Sequence, residues 1–131
     1  MTTEYTPAQL LFDKVFTLLQ GLGIEVIDVK DIANKIPYPF FVVEKFKIVK
    51  SDYTLNTFHG NLTGTIDVWS KADNLGEHDQ CVKYVDDILS KPINIVDYQV
   101  RLKEITINTI DDNSTDEPLL HSIINIEFEI L

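Results

Sequence analysis

The sequence predicts an α+β fold: a mostly antiparallel sheet built from two hairpins, with two helices packed on one face, in the order α-β-β-α-β-β. Three observations carry this. Apolar residues recur at helical spacing between Pro7 and Leu22 and again between Glu77 and Leu89. Alternation with a period of two marks Phe40–Lys50, Leu62–Trp69, the stretch from Tyr98, and Leu120–Ile130. Neither strand pair contains a crossover helix, so both read as antiparallel.

The elements follow in order. Thr6 can cap the first helix, Pro7 sits where the first helical N–H needs no partner, and Gln9 completes a Thr-x-x-Gln capping box. Leu11, Val15, Leu18 and Leu22 make the apolar stripe, widened by Phe12, Phe16 and Leu19. Gly21 and Gly23 end the helix. Ile24–Ile36 reads two ways: Ile24 and Val26 alternate like a short strand, while Asp31-Ile32-Ala33-Asn34 suits a helical turn. Pro37 and Pro39 then forbid helix and hold the chain extended.

Phe40–Lys50 reads as one long strand. Phe40, Val42, Phe46 and Ile48 share one face, interrupted by Glu44; Phe41, Val43, Lys45, Lys47 and Val49 share the other. Ser51–Asn61 is a polar loop, long for a hairpin connection. Leu62–Trp69 returns, with Gly64 marking a bulge. Lys71–Gly76 is a loop leading to the second helix, Glu77–Leu89, whose stripe is Cys81, Val82, Val85, Ile88 and Leu89. Asp86 and Asp87 sit at the helix end where the dipole disfavours them, at about a few tenths of a kcal/mol each. In the second hairpin Tyr98, Val100 and Leu102 shift phase to Ile105 and Ile107, which signals either a bulge or a change of burial. Asp111–Pro118 is an acidic turn, and Leu120–Ile130 gives the cleanest alternation in the chain.

At 131 residues the chain suits one domain, 1–131, with a sizeable core. A hydrophobic fraction of 44% argues against disorder. No apolar run approaches a membrane span of about 20 residues, and the polar Met1–Pro7 stretch has no signal-peptide character. Cys81 is the only cysteine, so no internal disulfide forms and a reducing compartment is expected. The formal charge of −10 repels bare DNA and anionic membranes.

No catalytic, cofactor-binding or metal-binding constellation emerges. His78 lacks a ligand partner one turn away and is expected at the surface; His59 and His121 cannot be paired from sequence. Cys81 lies on the apolar stripe and reads as a buried structural thiol. Asp111, Asp112, Asn113 and Asp116 lack the glycine and closing glutamate of a calcium loop. Lys45, Lys47 and Lys50 form the densest basic feature, read as edge-strand protection or as a contact for an acidic partner.

Pro37-Tyr38-Pro39-Phe40-Phe41-Val42-Val43, then Thr65-Ile66-Asp67-Val68-Trp69-Ser70, then the acidic helix Glu77–Leu89 and a closing strand pair make a recognisable sequence of pieces. Together they resemble the tail terminator, or tail completion, proteins of long-tailed bacteriophages. The likeness of layout runs from about Pro7 to Leu131. It departs at Glu44, where family members often carry glycine, and across Ser51–Asn61. The resemblance implies a small α+β protein that forms a hexameric ring, caps the tail tube, stops its polymerisation and offers a surface to the head connector. Its implied partners are copies of itself, the tail tube protein, the head-completion or connector protein, and genomic DNA passing through the lumen without specific binding. The implied location is the head-proximal end of the virion tail, after assembly in the host cytoplasm.

Because long polar connections bury themselves poorly, the expected contact residues lie there: Asp52, Tyr53, Phe58 and His59; Lys71 and Asp73; Asp111, Asp112, Asp116 and Glu117. Two rival readings stand beside the terminator: another neck component, such as a head-closure or adaptor protein, and an acidic DNA-mimic inhibitor of a nucleic-acid enzyme.

Overall fold

The computed structural model describes residues 5–29, 37–51, 59–95 and 98–130. Helix α1 spans Pro7–Gln20 and begins where the sequence placed it. Thr6 is the N-cap, and its Oγ1 accepts the Gln9 N–H at 3.2 Å. The Gln9 side chain donates to Asp13 Oδ1 at 2.9 Å, so only half of the expected capping box forms. Leu11, Val15 and Leu19 are fully buried, while Leu18 and Leu22 only flank the core. After the helix, Gly23 takes a φ of 77°, which glycine adopts without a Cβ penalty.

Among the described residues, seven strands follow. They are β1 (Glu25–Asp28), β2 (Phe40–Val43), β3 (Lys47–Ser51), β4 (His59–Lys71), β5 (Ile93–Ile95), β6 (Tyr98–Asp112) and β7 (Leu119–Ile130), with helix α2 (Leu75–Leu89) between β4 and β5. They form one sheet in the order β1-β2-β4-β7-β6-β5, and β3 also pairs with β4. The fold is therefore α+β, but the order α-β-β-α-β-β is corrected to α-β-β-β-β-α-β-β-β. The sheet is mixed, because β1 runs parallel to β2. That connection crosses from Val29 to Pro37, and its residues 30–36, including the Asp31–Asn34 turn reading, lie outside the described residues.

The expected long strand Phe40–Lys50 is two strands. Val43 faces Ile66 and Lys47 faces Thr63, so four steps along one side span three steps of β4. One extra residue is accommodated, and the inward phase flips there. Phe41 and Val43 point to the helix-covered face, and beyond the break Phe46 and Ile48 do so. Phe40 and Val42 point to the opposite face, where they pack with Ile27 and Trp69. Gly64 explains how Phe46 gets in. A Cβ on Gly64 would stand 2.2 Å from the Phe46 ring, so only glycine leaves room for it.

The phase shift in β6 is a bulge: the register against β7 slips between Leu102 and Glu104. Both helices cover the same sheet face, where Leu11, Val15, Leu19, Cys81, Val82, Val85 and Leu89 meet Phe41, Leu62, Ile66, Val68, Ile124, Ile126 and Phe128. Cys81 is buried as expected. The Asp86 and Asp87 carboxylates have local partners: Lys83 Nζ donates to Asp87 at 2.9 Å and Ser90 Oγ to Asp86 at 3.2 Å. These offset the unfavourable dipole position. Among the described residues, no helix is long and apolar enough to cross a membrane.

Candidate functional site

The predicted contact residues that the structure describes lie at opposite ends of β4. Lys71 ends that strand and is paired with Leu119, which in turn faces Asp112. The Ala72 N–H donates to the Pro118 carbonyl at 3.0 Å, tying the β4–α2 turn to the β6–β7 turn. Lys71 Nζ lies 3.5 Å from Glu117 Oε1. Lys71, Asp73, Asp111, Asp112, Asp116 and Glu117 therefore gather at one end of the sheet, all exposed except half-buried Asp112. Asp111 and Asp112 belong to β6 rather than to a loop, and Lys71 to β4. Asp112 accepts the Ser114 N–H at 2.8 Å and the Ser114 hydroxyl at 2.5 Å, which hold its carboxyl below the usual range. At the other end, His59 opens β4 opposite Ser51. Asp52, Tyr53 and Phe58 lie outside the described residues.

Two polar clusters escaped the sequence reading. In the first, His78 is not at the surface: it is 1% exposed beneath α2. Its Nδ1 is 2.5 Å from Ser70 Oγ on β4 and its Nε2 is 2.6 Å from Ser122 Oγ on β7. Ser122 continues to Thr109 Oγ1 on β6 at 2.7 Å. Burial lowers the His78 pKa, so the neutral ring bridges two hydroxyls. This serine–histidine pair sits in the core, where it ties a helix to three strands.

The second cluster lies on the face opposite the helices. Trp69 and Asp67 are two apart on β4 and share that face. His121, opposite Trp69 on β7, stacks on the indole at 3.8 Å with the rings 10° from parallel. His121 Nε2 is 2.7 Å from Asp67 Oδ1. Glu44, from the break between β2 and β3, hydrogen-bonds Asp67; that bond, burial and the Asp67 charge push its pKa up to about 7. Burial also raises Asp67, partly offset by the Glu44 hydrogen bond. The consistent arrangement is a protonated Glu44 donating to an Asp67 carboxylate that also accepts from a neutral His121, whose pKa burial lowers. Among the described residues no set of three ligating side chains could hold a metal ion. The sequence signal was Glu44 itself, an acid interrupting an apolar strand; its partners needed the β4–β7 register.

The sheet edges are the remaining site of interest. β5 pairs only with Tyr98, Gln99 and Val100 of β6. Beyond Val100 the outer edge of β6 has no partner among the described strands. Across the sheet, the outer edge of β3 is likewise unpaired among them. Between these edges, the helix-free face carries a groove of about 410 Å³ lined by Lys45, Lys47, Thr63, Thr65, Glu104 and Asn125, among others.

No family model matches this chain. No curated protein matches its sequence. Solved structures do share its fold. A chain from the "Virion of native gene transfer agent (GTA) particle" aligns with a TM-score of 0.62 at 13% identity, covering 96% of this chain and 99% of that one. A second solved chain aligns with a TM-score of 0.59 at 9% identity, covering 94% and 92%. The fold described above is thus one that a virion component also uses, end to end.

Proposed function

We propose that this chain is a structural protein of a phage-type virion, and more narrowly a tail terminator. In this reading it closes into a ring on the finished tail tube, halts further polymerisation and presents a joining surface to the head. The observation that carries the reading is the end-to-end fold likeness to a virion chain. It agrees with the resemblance found in the strand-opening motif, which rests on separate grounds.

The architecture suits the role. An open sheet with two margins unpaired among the described strands offers the different surfaces that a head-to-tail ring requires. The acidic end formed by Asp73, Asp111, Asp116 and Glu117 gives a surface that DNA passes without adhering. We propose no catalytic role: both serine–histidine contacts among the described hydrogen bonds, Ser70–His78 and Ser122–His78, are sealed inside the core.

Deleting the gene tests the assignment. Loss of a terminator gives overlong tails in electron micrographs. Tails of normal length that fail to join heads would instead make the chain a neck adaptor. Capture of a nucleic-acid enzyme at low salt, released at high salt, would favour the DNA-mimic reading.

A further inference from the structure

Natural sheets protect a free edge with proline, outward lysines, covering segments or very short strands. Among the described residues β6 has no proline and no covering segment along Arg101–Asp112, although its bulge at Lys103 interrupts the near end. Its two cations are engaged within the chain: Arg101 pairs with Glu129, and Lys103 Nζ is 4.0 Å from Glu127. What remains is acidic and apolar. Glu104 and Asp111 are exposed, and Ile107 and Ile110 keep 42% and 41% of their surface in solvent. Ile107 faces Ile124 on the helix side and Ile110 faces His121 on the other, so both sides of this margin are sticky.

The opposite margin has complementary character. Lys45 and Lys47 are exposed there, and no ion pair among the described residues engages them. Val49, on the same strand, is 50% exposed. One edge thus offers acids with apolar residues, the other lysines with an apolar residue.

We infer that β6 of one copy pairs edge to edge with β3 of the next copy, extending the sheet from subunit to subunit. The inference rests on the reading that the chain assembles with copies of itself. Main-chain hydrogen bonds supply the register, limited to about the five residues of β3. Glu104, which shares the helix-free face with Lys45 and Lys47, meets these lysines across the seam, and Asp111 adds negative charge to the same edge. A twofold β6–β6 contact would leave the lysine edge unused and would stop at two copies. A β6–β3 contact uses both margins, repeats in one direction and closes into a ring when the rotation permits.

Charge reversal decides the matter. One variant carries Glu104→Lys with Asp111→Lys, so that both of its edges are basic. The other carries Lys45→Glu with Lys47→Glu, so that both are acidic. All four side chains are exposed, and circular dichroism checks that each variant folds. Association is followed by sedimentation velocity up to millimolar protein, alone and on purified tail tubes. The wild-type chain forms higher species. Each variant alone associates about tenfold or more weakly. An equimolar mixture regains wild-type association, because each basic edge then finds an acidic one. Variants that associate like the wild type, a mixture that fails to recover, or a wild-type chain that stays monomeric in both settings overturns the inference. The tail-length phenotype is read separately, so edge pairing can fail while the terminator assignment stands, and the reverse.

Discussion

The Phe46 ring lies across Gly64, filling the space a β-carbon would need at 2.2 Å. The same ring meets Phe128 edge-on at a centroid distance of 6.4 Å. This contact fixes the break between β2 and β3, because the extra residue there turns Phe46 into the helix-side core. Gly64→Ala should push the ring out and cost about 1–3 kcal/mol, the range for overpacking a filled core. Urea denaturation measures the loss. Unchanged stability would mean that the ring has an alternative place to go.

His78 offers a second test. His78→Leu removes the partner that Ser70 Oγ has among the described residues and one of the two that Ser122 Oγ has there. The cost should be about 2 kcal/mol, chiefly from the orphaned buried hydroxyl. The folded pKa of His78 lies below its ordinary 6.5. Its contribution to stability is therefore complete above that value and is lost as pH falls through the folded pKa. The stability gap between wild type and His78→Leu should narrow from neutral to mildly acidic pH, as read from urea midpoints. A constant gap would remove the protonation argument.

Glu44 works with the opposite sign. Its folded pKa is raised from 4.5 to about 7, so the native state holds the proton more tightly than the unfolded chain. That contribution is complete below 4.5 and is lost as pH rises toward about 7. Glu44→Gln keeps a donor for Asp67 without titrating. The glutamine variant should gain stability relative to wild type as pH is raised across that window. Parallel pH profiles for the two proteins would show that Glu44 does not carry the proton.

The N-cap of α1 is the simplest case. Thr6→Ala deletes the acceptor of the Gln9 N–H and should cost about 1 kcal/mol. The companion change Gln9→Ala should cost less, because the Gln9 side chain reaches Asp13 rather than returning to the cap. Thermal melts of the pair rank the two effects.

How far the sequence could be read depended on range. Both helices, the Thr6 cap, buried Cys81 and the phase shift after Leu102 follow from local periodicity and appear where expected. The parallel β1 edge did not, because a four-residue strand carries too little pattern to announce its partner. Nor did the break at Phe46. It needs the vacancy above Gly64, which is 18 residues away in sequence but adjacent in space. The two histidine clusters failed for the same reason. His78 spans 44 residues to Ser122, and His121 spans 54 to Asp67. Of the expected contact residues, Lys71, Asp73 and the Asp111–Glu117 group gather at one end, since β4 and β7 bring their turns together.

Trp69 is the chain's single tryptophan, and it is stacked on His121. Its emission therefore comes from one place, the strand pair at the centre of the sheet. Imidazolium is a stronger quencher of indole than imidazole. Acidification should then dim the fluorescence before the protein unfolds, and His121→Phe should keep the signal level. The molecule supplies its own optical probe of that strand pair, with no dye attached.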